Sequence, residues 1–327
     1  MNGANPVGSD ELLPACIPSC AAAKWHESWR LPMPAVHDEE GPRLPTSLPE
    51  VIDGHVHLFP DRMFEAIWKW FDNYGWPVRY KLKTPEVIRF LLSRGVSRIV
   101  ALHYAHKEGI ARTMNRFMAE VVRAEPRVTG VATVMPGEAD ARGILEEGFS
   151  LGLTGVKLHC HVQSFSPDDP RLHPVYETCS DHAQPIVIHA GREPSSPEYP
   201  VDPYTLCSVD RIEAVLRSFP KLRICVPHLG ADEFDGYLRL LERYDNLYLD
   251  TTMTLGSYFP GDVPWRMVHA RPDRILYGTD FPNLPYAWDR EVRAIAAQKF
   301  PEEALASVLG ETAKALFAPQ RAAKETV

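Results

Sequence analysis

Val51-Ile52-Asp53-Gly54-His55-Val56-His57-Leu58-Phe59 reads as a buried strand that carries two histidines near its end. Side chains alternate across a β-strand, so His55 and His57 leave the same face and can converge on one metal ion, with Asp53 one step behind them. A pair at this spacing also occurs on solvated strand edges, where it binds nothing. The pattern of the chain on either side separates the two readings.

Downstream, Met63 to Phe71 is aromatic with helical period, and Pro85 to Arg94 reads as a helix entered through Thr84 as N-cap. A rhythm then sets in. Strands are expected at Ser97 to His103, Val128 to Val134, Gly155 to His159, Pro185 to His189, Leu222 to His228, Asn246 to Asp250 and Arg274 to Tyr277. Helices are expected between them at Ile110 to Ala124, Ala139 to Phe149, Pro170 to His182, Val209 to Phe219, Glu233 to Tyr244 and, shorter, Val263 to His269. Two more follow near Asp289 to Lys299 and Glu302 to Leu309.

With the first strand the count reaches eight, each short, apolar and separated by helices, which is the arithmetic of a closed parallel (β/α)8 TIM barrel. An open doubly wound sheet is the alternative. No glycine-rich phosphate loop follows the first strand, so the usual ligand device of such a sheet is missing.

Upstream, residues 1–50 are rich in Pro and Ala, with Pro32, Pro34, Pro42, Pro45 and Pro49 too closely spaced for long regular elements. They read as an arm before a barrel that spans 51–327. Trp25 and Trp29 suggest that the arm packs on its own barrel or on a neighbouring subunit, and a homodimer is expected.

The 327 residues, 45% hydrophobic and 24% charged, suffice for a large core. A net charge of −8 and the lack of a basic aromatic run argue against nucleic acid as a partner. No apolar stretch is long enough for a membrane span, and Asp10 and Glu11 stand where a secretory signal carries positive charge, so a cytoplasmic protein is expected. Cys160, Cys179, Cys207 and Cys225 fall in or beside barrel elements, as reduced apolar residues do. Cys16 and Cys20 have no second cysteine pair, and Pro18 lies between them, which makes a structural zinc there a weak reading.

The strand ends carry the chemistry. His55 and His57 end the first strand, His103 the second, His159 and His161 the fourth, His189 the fifth, His228 the sixth and Asp250 the seventh, with Asp280 just past the eighth. In a barrel these ends share one rim, where catalytic residues gather, and seven of the thirteen histidines lie there. A divalent ion suits three imidazoles and a carboxylate, with a position left for water whose pKa the ion lowers. His55, His57, His189 and Asp280 supply that set. One ion is expected, Zn2+ first and Mn2+ as the alternative because Asp280 adds oxygen. His228 would stand near the ion as the catalytic proton carrier, and Asp280 could take a proton from the bound water.

These residues resemble the amidohydrolase superfamily, in the amidohydrolase-related branch that includes aminocarboxymuconate semialdehyde decarboxylase and the resorcylate-type decarboxylases. The resemblance runs from Val51 to Phe317. It rests on Asp53-Gly54-His55-Val56-His57, Gly155-Val156-Lys157-Leu158-His159, Pro185-Ile186-Val187-Ile188-His189-Ala190-Gly191, Val226-Pro227-His228-Leu229-Gly230 and Tyr277-Gly278-Thr279-Asp280-Phe281-Pro282. Gly310-Glu311-Thr312-Ala313-Lys314-Ala315-Leu316-Phe317 completes it, with Thr312 where the motif usually has Asn. The family implies that His55, His57, His189 and Asp280 bind metal and that His228 is the catalytic histidine. Some members carboxylate a strand-four lysine to bridge two metals. Lys157, on a face with His159 and His161, is the position for that, against the simpler reading of a lysine paired in the barrel mouth.

The proline-stiffened loop from Arg192 to Tyr204 is expected to shape the substrate pocket, with His159 beside it. Arg192 either holds a substrate carboxylate or pairs with Glu193 or Glu198. The leading expectation is a hydrolase that uses metal-activated water on a small carboxylate-bearing ester, lactone or amide. The alternatives are a non-oxidative decarboxylase at the same site and, third, a metal-binding barrel without turnover.

Overall fold

The structure, a computed structural model, describes residues 35–257 and 262–318. Nine parallel strands form it: β1 (Ile52–His57), β2 (Arg98–Leu102), β3 (Val128–Gly130), β4 (Ala132–Thr133), β5 (Val156–His159), β6 (Ile186–His189), β7 (Ile224–Val226), β8 (Leu247–Asp250) and β9 (Ile275–Leu276). β3 and β4 are one barrel strand interrupted at Val131, whose N–H still reaches Ala101 O at 3.1 Å while Ala132 N–H turns to Gly155 O at 2.9 Å. Strands therefore pair in chain order from β1 to β3 and from β4 to β9. The ring closes where the chain after β9 meets β1, through Gly54 N–H to Tyr277 O (2.9 Å), Asp280 N–H to His55 O (2.9 Å) and His57 N–H to Phe281 O (2.8 Å). This is the eight-stranded (β/α)8 barrel that the rhythm predicts.

Alternation sorts the side chains into two layers. Val156, Leu158, Ile186, Ile188, Ile224 and Val226 join the core between strands and helices. Ile52, Val100, Val131, Val187, Cys225 and Leu276 fill the barrel interior, which Ala313, Leu316 and Phe317 of the last helix plug from below. Above that layer the inward positions become polar, with Lys157, His159, His189 and Asp250 next along β5, β6 and β8. On β1 a register shift between Asp53 and Val56 breaks the alternation. Ile52 and then His55 and His57 thus all face inward, although 52 and 55 differ by an odd number.

Two local expectations change. The helix Thr84–Ser93 is capped by Lys83, whose N–H meets Glu86 Oε2 at 2.9 Å, and Thr84 sits inside it with its hydroxyl on Phe59 O at 2.9 Å. After His159 the chain leaves the strand for a helical turn, Cys160–Gln163, so His161 does not extend the β5 face that holds Lys157 and His159. No helix among the described residues is long and apolar enough to cross a membrane.

Candidate active site

His55 and His57 reach the rim from β1 and meet Asp280, which the closing segment delivers. Asp280 Oδ1 lies 3.3 Å from His55 Nε2 and 3.0 Å from His57 Nε2. Its backbone is left-handed (φ 72°), as is that of His228 (φ 59°). Such conformations cost on the order of 1 kcal/mol or more in a non-glycine residue and persist where neighbours over-determine them. Here those neighbours are His55 O, which accepts from Asp280 N–H, and Asp250 Oδ1, which accepts from His228 N–H at 3.0 Å.

Hydrogen bonds fix the ring tautomers. His55 Nδ1 faces Asp250 Oδ2 at 2.7 Å, so this nitrogen carries the proton and Nε2 turns its lone pair toward Asp280. His228 Nδ1 faces the carbonyl of Thr252 at 2.9 Å and must donate to it. In the neutral ring its Nε2 then accepts, and the proton between it and His189 Nδ1, 3.2 Å away, belongs to His189. His189 Nε2 is left with a lone pair, buried and with no hydrogen-bond partner among the described residues.

Burial keeps these imidazoles neutral. It lowers His55 to about 4, with Lys157 adding to the effect, and takes His189 and His159 well below the usual histidine range. For Asp280 burial alone would raise the carboxyl, but the imidazoles of His57, His55 and His228 outweigh it and bring it to about 2. A neutral His55 whose Nε2 lone pair faces an ionised Asp280, with His57 Nε2 3.0 Å from the same carboxylate, is the donor chemistry a divalent cation needs, so the residues fit the ion that the sequence implies.

The ligating atoms fall into two groups, each with every atom within 4.8 Å of the others: His55, His57 and Asp280 in one, His159, His161 and His189 in the other. His189, predicted as fourth ligand of the first set, thus stands with the second group and beside His228. Lys157 is fully buried, no described residue accepts from its Nζ, and burial lowers it to about 8. The carboxylates of Asp250 and Asp280 act on its charge from a distance, without a direct hydrogen bond among the described residues.

Above both groups opens a cavity of about 530 Å3. His57, Lys157, His159, His189, His228 and Asp280 line its floor. Its walls are aromatic, built from Trp70, Phe71, Trp76, Tyr104 and Tyr199. Pro194, Ser195, Ser196, Glu198, Tyr199 and Pro200 bring the predicted loop over it, and Tyr199 stacks on Trp70 at 5.5 Å.

Arg192 is a correction. Its Nε meets Asp232 at 2.9 Å and Glu233 at 3.5 Å, its guanidinium lies 5.0 Å from the Tyr204 ring centre, and it does not line the cavity. Glu193, one partner expected for it, accepts instead from Ser195 N–H and Tyr204 O–H, at 2.8 and 2.7 Å. His103 is buried away from the cavity lining. Sequence reasoning left two features without a role: Asp250 as the anchor of His55 and His228, and the wall aromatics outside the predicted loop, Trp70, Phe71, Trp76 and Tyr104. The signal for Trp70 and Phe71 was the aromatic period of Met63 to Phe71, as the loop before Tyr204 was for Tyr199.

Residues 52–318 match the family model described as amidohydrolase. Among solved structures the fold is similar to an uncharacterised TIM-barrel protein from Bordetella bronchiseptica, with TM-score 0.63 and 21% identity over 83% of this chain and 99% of that one. It is also similar to 5-carboxyvanillate decarboxylase from Sphingomonas paucimobilis, with TM-score 0.55 and 18% identity over 83% and 99%. A third is 5-carboxyvanillate decarboxylase from Novosphingobium aromaticivorans, complexed with manganese and 4-hydroxy-3-methoxy-5-nitrobenzoic acid, with TM-score 0.61 and 16% identity over 86% and 98%. No curated protein matches the chain at a significant level.

Proposed function

We propose, from the premise that this chain belongs to the amidohydrolase family, that it is a metal-dependent carboxy-lyase, releasing CO2 without oxidation from a small aromatic acid. The observation that carries this is the cavity: flat aromatic walls over a floor of imidazoles, Lys157 and Asp280. A ring packs against such walls in offset or edge contact, and its carboxylate is drawn toward Lys157 in the floor. Hydrolysis, the leading expectation from sequence, needs no aromatic enclosure. Likeness in fold to barrels named as 5-carboxyvanillate decarboxylases adds support.

His55, His57 and Asp280 would hold the ion, which supplies Lewis-acid polarisation of substrate oxygens when bound. Two imidazoles and a carboxylate suit Zn2+ or Mn2+, and the manganese of the Novosphingobium barrel raises the second to equal standing. The chain's own residues do the rest. The walls exclude water and hold the ring; the bond between ring carbon and carboxylate breaks, its electron pair stays on the ring, and that carbon takes a proton. Asp280 and His228 line the cavity and are the groups assigned to move it.

Aromatic and unsaturated acids, screened beside small esters, lactones and amides, test the reading. The expected result is CO2 release in D2O with one deuterium at the vacated carbon. Hydrolysis of the second set, with no CO2 from the first, would return the assignment to a hydrolase. His228→Asn should lower turnover by roughly 10²–10⁴ and keep the ion. Metal loss in that variant would make His228 a structural residue.

A further inference from the structure

We propose that the hydroxyls of Tyr104 and Tyr199 form a two-donor subsite for the substrate carboxylate, one fixed by the barrel and the other brought by the loop over the cavity. The proposal rests on the decarboxylation reading, since it names groups that would hold the acid which that reading assigns.

Rings on different elements hold each tyrosine. Tyr104 lies just past β2 and stands edge-on to His57 of β1 (6.0 Å, 81°), to Phe59 (5.2 Å, 74°) and to His159 of β5 (5.1 Å, 72°). Tyr199 stacks on Trp70 (5.5 Å, 30°) and stands edge-on to His161 (5.1 Å, 64°). Such contacts bury the apolar body of a tyrosine and leave its hydroxyl as the one polar atom to be satisfied.

Both residues line the cavity, and neither hydroxyl has a hydrogen-bond partner among the described residues. The hydroxyls of Tyr237 and Tyr277 are likewise unpaired but enclosed by protein. Those of Tyr104 and Tyr199 are not enclosed, so each is open to whatever enters the cavity.

The two also share one region. Burial is the main cause that pushes both phenols up; after it, each feels the Asp280 carboxylate, and Tyr199 feels Tyr104 as well. The hydroxyls therefore stand near each other and near the group of His55, His57 and Asp280. A phenol ordinarily titrates at about 10, so both are O–H donors at neutral pH.

Hydrogen bonds to a charged acceptor are roughly twice as strong as neutral ones, and a carboxylate can accept from several donors at once. It can therefore take both phenols while the charge of Lys157 in the floor attracts it. An ester or amide carries no such charge, so the subsite selects the free acid. Because Tyr199 belongs to the loop, the subsite is complete only with the loop over the cavity. The charge of Asp280 would repel the acid in the unloaded chain, so the subsite is tested on the metal-loaded protein.

Calorimetric titration of the Mn2+-loaded full chain with benzoate, beside nitrobenzene as an uncharged probe of the same shape, tests this without turnover. Tyr104→Phe and Tyr199→Phe each remove one oxygen and keep the ring contacts. Each should keep the metal content, weaken benzoate roughly tenfold or more, and leave any nitrobenzene binding within about twofold. Benzoate held through both hydroxyls by a protein that releases CO2 from no acid would refute the decarboxylation and keep the subsite. No benzoate binding by the unmodified protein, equal affinity for benzoate in either variant, or equal losses for the two probes would overturn the proposal.

Discussion

Asp250 is the residue on which the site's geometry turns. One carboxylate oxygen takes His55 Nδ1–H at 2.7 Å, and the other takes His228 N–H at 3.0 Å and Thr252 N–H at 3.2 Å. Burial alone would raise this carboxyl, yet His55 and His228 hold it below the usual carboxylate range, so it stays ionised. An ionised acceptor behind an imidazole fixes its tautomer and makes its far nitrogen a better donor to metal. Asp250→Asn keeps the shape and removes the charge. Metal affinity should fall by about 10–100-fold, read by chelator competition, while the fold is retained. Equal affinity in the two proteins would mean that His55 needs no such partner. The sequence shows Asp250 at a strand end and no more. Its role depends on an approach across 195 positions, to His55, that no spacing rule reports.

At the scale of elements, the eight-strand rhythm was legible because each strand is a short apolar run bounded by turn residues, and it survives even where Val131 splits one strand. What periodicity missed lies where regular alternation fails. The register shift in β1 and the turn after His159 both re-aim histidines, and both depend on contacts made only in the closed ring. The ring's seam explains one glycine. A Cβ at Gly54 would stand 2.8 Å from Tyr277 O, the atom that accepts the Gly54 N–H. Gly54→Ala should therefore push β1 from the closing segment and cost about 1–3 kcal/mol, measured by denaturant unfolding, with weaker metal binding as His55 moves. An unaltered midpoint would show that the seam yields freely. The helix Asp61–Tyr74 and the loop over the cavity meet through Trp70 and Tyr199. Removing that contact in Trp70→Ala forfeits about 0.5–1.5 kcal/mol of aromatic pairing, so KM should rise roughly twofold to tenfold with kcat nearly kept. A fall confined to kcat would place Trp70 in the chemistry instead of the enclosure.

Over the whole molecule, the arm divides into two questions with different tests. Trp25 and Trp29, the basis for expecting a subunit contact, lie outside the described residues. Residues 35–50 cross the chain's own barrel. Asp38 pairs with Arg290 at 3.0 Å and its carbonyl accepts from Arg79 at 2.7 Å; Gly41 exchanges bonds with Asp289 (2.9 Å) and Trp288 Nε1 (3.2 Å). Leu44 is buried and its N–H meets Arg94 O at 2.7 Å. Composition marked residues 1–50 as an arm, yet the partners of this part are single groups 41 to 252 positions away, which composition does not encode. Deleting residues 1–34 leaves every one of these contacts. Deleting 1–45 removes a buried leucine, worth about 1.5–3 kcal/mol, and leaves the indole N–H of Trp288 without its acceptor, for about 1–3 kcal/mol more. The shorter truncation should keep the melting temperature within a few degrees, and the longer one should lower it by roughly 10 °C, both read by calorimetry. The mass of the shorter truncation in solution then answers the subunit question alone: a homodimer held by Trp25 and Trp29 becomes a monomer with its barrel intact. A melting temperature that falls as far at 34 as at 45 would locate the stabilising contacts in the first 34 residues and remove residues 35–45 as the clasp.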